Sequence, residues 1–351
     1  MKRQKNLKVP KKFVRFILSL LVSCFVAIVV LATEDRTLTP SFAKSVEEDG
    51  SIALLSNQLN DDLSALYTDA IDKANSSITL IVYSLLDKAI IKSLNRAALK
   101  GVRVKIICDA KTSPGIDSKL NPNIDLMRRF GPGLMHLKIL VIDRAQVFLG
   151  SANMTYESLH LHGNLVMSLK DAQVADMIQK KANTLTIDTL SCAFPLPPFT
   201  VGGQRLTLTF LPDKNGVEEV KNLLQSAKKT IKIAMFTWTR HDFAEELIAA
   251  KKRGVKSQVV IDNTAGKGAG AAVYKILQLQ GINVFLSEPG PLLHHKFAYI
   301  DQKILINGSA NWTKAAFTQN DDCFLILYNL TASQKQTMDK LFKKILNETV
   351  H

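Results

Sequence analysis

One eighteen-residue pattern occurs twice in this chain, and it restricts the fold more than any other feature. HLKILVIDRAQVFLGSAN runs from His136 to Asn153, and HHKFAYIDQKILINGSAN from His294 to Asn311. The first copy places His136, Lys138, Asp143, Gly150, Ser151 and Asn153. The second places His294, Lys296, Asp301, Gly308, Ser309 and Asn311 at the same offsets. The repeat extends upstream. From Ile78 and from Ile231 the chain reads as an apolar strand, a helical stretch closed by Lys100-Gly101 or Arg253-Gly254, and a second strand ending at Asp109 or Asp262. A helix is predicted before each unit, over residues 59–74 and 217–228, and a loop and short helix before each motif. Strands alternating with helices predict an α/β fold.

The pattern joins residue types that handle phosphate esters. Side chains two apart on a strand share a face, so each His-x-Lys pair converges on one ligand. Imidazole serves as nucleophile, base or acid near neutral pH. The lysine ammonium and asparagine amide donate to anionic oxygens. Gly-Ser permits a close backbone turn that returns the asparagine to the same place. Asp143 and Asp301 follow apolar strands where hairpin turns belong, so a structural role is expected of them. A lone histidine on a strand is most often structural. Here two of only seven histidines head the same pattern, and coincidence explains that poorly.

This duplicated HKD motif resembles the signature of the phospholipase D superfamily, over most of the chain after about residue 50. The second half is most similar to the branch holding mitochondrial cardiolipin hydrolase and bacterial HKD nucleases. Members of that branch usually carry one motif and dimerise. The resemblance implies two similar α/β/α sandwich units packed as a pseudo-dimer, so that a monomer builds a complete site. It also implies a covalent phosphohistidine mechanism with no cofactor and no metal. His136 and His294 are the catalytic pair by this resemblance. Lys138, Lys296, Asn153 and Asn311 bind the non-bridging oxygens, with help from Ser151 and Ser309. An acid a little beyond GSxN usually orients the histidine. Asp322 stands there in the second half, whereas the first half has Asn164. The first site is therefore expected to be the weaker one. His160 and His162 are expected at the surface, and His295 facing away from the site. Phe236, Trp238 and Trp312 are candidates for a groove, with core packing favoured for Phe236.

The remaining organisation follows from charge and breakers. The formal net charge is +14, and seven of those charges lie in the acid-free first fifteen residues. Residues 16–32 are uncharged, about 25 Å as helix, and are expected to form a membrane anchor or signal segment. Residues 33–50 are expected to be a linker, 51–190 the first unit, 191–203 a Pro- and Gly-rich linker, and 204–351 the second unit. Basic flanking charge places the body outside the cytoplasm, or secretes it if the segment is cleaved. Cys108, Cys192 and Cys323 are too few and too scattered for a disulfide framework or zinc site. AGKGAG, from Ala265 to Gly270, lacks a P-loop ending and is expected to be a flexible loop. The basic body suits a polyanion. A phospholipid membrane is the favoured substrate, with single-stranded nucleic acid or phosphatidyl transfer to an alcohol as alternatives.

Overall fold

Each copy of the repeat builds its own sheet, and the two sheets share a core. The structure is a computed structural model that describes residues 52–350. The first sheet holds β1 (Ala53–Leu55), β2 (Ser77–Val82), β3 (Arg103–Asp109), β4 (Asp125–Arg129), β5 (Lys138–Ile142), β6 (Gln146–Gly150) and β7 (Val166–Lys170). The second holds β8 (Phe199–Val201), β9 (Gln204–Leu211), β10 (Thr230–Met235), β11 (Lys256–Ile261), β12 (Asn283–Leu286), β13 (Lys296–Ile300), β14 (Ile304–Gly308) and β15 (Asp322–Tyr328). Their orders are β1-β7-β6-β5-β2-β3-β4 and β12-β11-β10-β13-β14-β15-β9-β8. In both, the βαβ strands pair in parallel and the motif strands pair antiparallel.

Both faces of these sheets are covered at the centre, which is why central strands such as β5 and β13 are buried along their whole length rather than alternating. Along β2, Ile78, Leu80 and Val82 meet the helices Leu63–Asp72 and Lys88–Leu99. Ile81 points the other way, into a central core with Leu149 and Met167 of the first sheet and Phe297, Leu325 and Leu327 of the second. The helices Ala172–Thr184 and Ala332–Asn347 supply Ile178, Met338 and Phe342 to that core. The outer face of the second sheet packs against Gly216–Ser226, His241–Lys252 and Ala271–Leu279.

Several local expectations change. The stretch between β3 and the first motif holds a short 3-10 turn, Asp117–Lys119, and the parallel edge strand β4 in place of a short helix. AGKGAG is not a flexible loop: its first residues lie in the helix Asn263–Lys267. A Cβ on Gly266 would lie 2.4 Å from Leu286 Cδ2, so a larger residue there would have to displace that side chain. The anchor or signal segment at 16–32 and the linker at 33–50 lie outside the described residues. Among the described residues no helix is long and apolar enough to cross a membrane.

Each HKD aspartate sits at the hairpin end of its strand pair, away from the histidine end. Asp143 and Arg144, like Asp301 and Gln302, have φ of 51–54°, the left-handed geometry of a type I′ turn. The Asp143 carboxylate accepts N–H donors from Asn75, Ser76 and Ser77. Asp301 accepts them from Lys228, Lys229 and Thr230. Each aspartate thus clasps the turn entering β2 or β10. Partial burial would raise the Asp143 carboxyl, but these donors outweigh it and bring it down to about 2.

Candidate active site

The histidines sit just ahead of β5 and β13, and their backbone is fixed from two sides. Asp109 and Asp262, at the ends of β3 and β11, accept N–H from Met135 and Leu293, the residues preceding the motifs. The sequence marked both as strand ends but assigned them no role. Each motif is also tied to the other half of the chain. His136 N donates to Asp321 O at 2.8 Å, and Gly163 N donates to Leu292 O at 2.8 Å.

This exchange crosses the histidine partners. His136 Nδ1 lies 2.7 Å from Asp322 Oδ1, across 186 residues of sequence. His294 Nδ1 lies 3.0 Å from Asn164 Oδ1. The residue expected to weaken the first motif therefore serves the second motif's histidine. Asn164 Nδ2 donates to the carbonyls of Ser158 and His162, so its Oδ1 is the atom facing His294. Both Nδ1 atoms then carry hydrogen, and both Nε2 atoms are left for substrate. Asp322 is fully buried, held by Ser309 Oγ at 2.7 Å and by Asn320 Nδ2 at 3.2 Å.

Ser151 and Ser309 do not stand as phosphate contacts. Their buried hydroxyls donate to Asn164 and Asp322, and accept N–H from Leu165 and Cys323. They position the groups that position the histidines. Gly150 and Gly308 end strands rather than forming turns. A Cβ on either would lie 2.2 Å from Leu165 O or 2.3 Å from Cys323 O, so only glycine lets the neighbouring strand approach.

Lys138 and Lys296 are buried and donate to the carbonyl of their own motif's histidine, at 2.7 and 2.6 Å. Each ammonium faces a repeat-related aromatic, Tyr83 at 5.2 Å and Phe236 at 4.8 Å. The same rings meet His136 and His294 at 5.0 and 5.1 Å. Phe236 thus lines the site rather than the core, whereas Trp238 and Trp312 are buried against each other. Asn153 Oδ1 is buried without a hydrogen-bond partner among the described residues. Asn311 Oδ1 accepts Thr237 N at 3.3 Å. Either amide keeps its donors for an anion. His162, expected at the surface, is half-buried with its ring 6.4 Å from His294. His160 is exposed against Tyr156. His295 turns away, its Nε2 2.5 Å from Gln58 Oε1.

Burial lowers both histidines, and the neighbours then separate them. For His136 the Asp322 carboxylate opposes burial. For His294 nothing does: Lys296, Lys138 and His136 push further in the same direction, and its imidazole lies well below its ordinary range. Burial brings Lys138 down to about 7 against the pull of Asp322, and burial with Lys138 puts Lys296 well below the usual lysine range. Burial would raise Asp322, but His136 and Lys138 hold it below its usual value. The cleft is thus short of negative charge, the environment in which an incoming phosphate is most strongly favoured. Among the described residues no group of three His, Cys, Asp or Glu is arranged to hold a metal ion.

Comparison with known proteins agrees with this geometry. The profile of the family described as "Cardiolipin synthase, PLD-like domain" matches residues 67–186 and 220–346. A mitochondrial cardiolipin hydrolase of Chlamydomonas reinhardtii is 36% identical over 121 residues, 34% of this chain and 54% of that protein. A phospholipase D of Rickettsia bellii is 33% identical over 112 residues, 31% of this chain and 56% of that protein. The chain thus spans about half the length of these curated relatives. The phosphatidylserine synthase of Haemophilus influenzae shares the fold, with a TM-score of 0.66 at 13% identity over 85% of this chain and 87% of that one. With the family profile matched in both halves, the chain belongs to the phospholipase D-like family.

Proposed function

We propose that this protein is a phospholipase D-type phosphodiesterase, hydrolysing phospholipids to phosphatidic acid and free headgroup. The observation that carries the reading is the crossed pair: two imidazoles from two halves, each held through Nδ1 so that Nε2 is left for substrate, each with a buried lysine two residues on. A single chain then supplies the whole site. In the first step His136 Nε2 attacks phosphorus and the bond to the headgroup oxygen breaks. Asp322 balances the positive charge that the attacking ring gains. His294, which holds a proton weakly, passes it from Nε2 to the leaving oxygen. In the second step His294 takes a proton from water, the water oxygen attacks phosphorus, and the His136–phosphorus bond breaks. Lys138, Lys296, Asn153 and Asn311 hold the non-bridging oxygens throughout.

The sequence before residue 51 supports a membrane address, with the catalytic body outside the cytoplasm or released if the segment is cleaved. A second reading, transfer of the phosphatidyl group to an alcohol in place of water, is favoured by the description of the matched family.

The test uses the full chain and a His294→Ala control in mixed phospholipid vesicles with EDTA, with and without glycerol, and separately on single-stranded DNA. Phosphatidic acid from the parent chain alone is the expected result. A phosphatidylglycerol product under glycerol supports the transfer reading. Cleavage of DNA without lipid turnover overturns both.

A further inference from the structure

Scattered exposed apolar side chains are ordinary on a protein surface, whereas a cluster around a cleft is not. Among the described residues ten large apolar side chains are exposed, and four of them stand on two segments joined beside the catalytic cleft. Phe130 and Leu134 come from FGPGL, directly before His136; Ile187 and Leu190 come from the segment leaving the first unit. Tyr156 and Leu161 are exposed at the two ends of the helix Tyr156–His160, between Asn153 and His162 in sequence.

The first four form one ridge. Phe130 N donates to Ile187 O at 2.6 Å. The buried Arg129 holds both segments, donating to Thr186 O and Thr189 O while its Nε pairs with Asp321 at 2.5 Å. Leu134 is tied to the carboxylate behind His136: its N–H donates to Asn320 Oδ1, and Asn320 Nδ2 donates to Asp322. A hollow of about 400 Å³ lies between ridge and site, lined by Phe130, Leu134, Lys111, Thr237, Asn311 and Asn320. The ridge is therefore fixed at a set height beside the phosphate-binding groups.

We propose that this apolar rim is an interfacial docking surface that seats the cleft on an anionic phospholipid bilayer. The inference rests on the lipid reading above. In a bilayer the phosphodiester lies just above the acyl boundary, so a rim that dips into that boundary brings phosphate level with the histidines. The cationic body is attracted to the same surface. Three of the four ridge side chains are aliphatic, which suits acyl chains; a site built to stack nucleic-acid bases would present aromatic rings instead.

A Phe130→Trp substitution in the full chain reads the rim directly, because Trp238 and Trp312 are buried and give a constant background. Vesicles of phosphatidylglycerol and phosphatidylcholine are expected to shift its emission to the blue, and brominated acyl chains to quench it. The signal is local, so it reports the rim whatever holds the remainder of the chain to the vesicle. Ile187→Ser with Leu190→Ser is expected to lower turnover of vesicle-borne lipid by roughly tenfold. Hydrolysis of soluble bis(p-nitrophenyl) phosphate should stay unchanged. Emission indifferent to vesicles, or quenched by single-stranded DNA instead, overturns the proposal. Insertion without lipid hydrolysis keeps the rim and removes the lipid-hydrolase reading, while soluble-diester hydrolysis without insertion does the reverse.

Discussion

The two histidines share a motif, a depth of burial, a lysine and an aromatic neighbour, and differ in one atom behind each ring. Asp322 backs His136 with an anionic oxygen, and Asn164 backs His294 with a neutral one. Geometry is thus nearly the same in the two half-sites while the electrostatics diverge. A carboxylate supports a ring that must carry positive charge through a covalent intermediate. An amide orients its ring equally well and leaves the proton easy to lose. A symmetric frame can therefore hold a nucleophile and an acid–base group without any change of shape.

The largest expected effect comes from removing either imidazole. His136→Ala and His294→Ala should each lower turnover by about a thousandfold or more, and the double variant should be little worse. The pair also separates the roles. With p-nitrophenyl esters, whose leaving group needs no proton, His294→Ala should accumulate a phosphoryl adduct on His136, seen by mass spectrometry. An adduct on His294 in the His136→Ala protein reverses the assignment.

Erasing the difference comes next. Asp322→Asn makes both partners amides and should cost about a hundredfold in kcat, chiefly in the attack step. Installing the opposite symmetry, Asn164→Asp, places a carboxylate on His294 and raises its pKa. The acid form then persists to higher pH, so the alkaline limb of the activity profile should move upward. A limb that stays in place shows that His294 is not the acid. With the parent chain, the weakly held His294 proton means that the first step should quicken as pH falls from neutral, until His136 is itself protonated.

The smallest effect lies where the halves agree. Asp143→Ala and Asp301→Ala should each destabilise the fold by about 1–2 kcal/mol while leaving the pH profile of the surviving activity unchanged. The folded Asp143 carboxyl, at about 2, lies below its unfolded value of roughly 4. Its contribution is therefore present above pH 4 and lost as pH falls from about 4 toward 2. Thermal melts of the Asp143→Ala chain should show a weaker acid dependence over that window than those of the parent.

The sequence made the duplication, the βαβ units, both His-Lys pairs and a structural role for Asp143 and Asp301 legible, because each rests on the local residue pattern; which turns the two aspartates clasp, about 70 residues upstream, was not legible. The crossing was hidden. A motif's spacing records its own strand, not the copy that reaches it from 186 residues away, and Asn164 was accordingly assigned to the wrong histidine. Ser151 and Ser309 were misread for the same reason, since a hydroxyl's commitment depends on a partner strand. Phe236 stands at the end of an apolar strand, where core and cleft look alike in sequence. The strands β4 and β12 escaped notice because one is polar and only partly buried and the other spans only four residues.

The crossed partners also bear on how such a chain diverges. In a dimer of identical chains, exchanging the acid behind the histidine for an amide would alter both half-sites at once, and the symmetry would survive the mutation. Joining two copies in one polypeptide breaks that bond of fate. A change at position 164 reaches only His294, and a change at position 322 only His136. Each gene half thus drifts under selection imposed by the chemistry of the other half, so neither could be excised or exchanged without its counterpart.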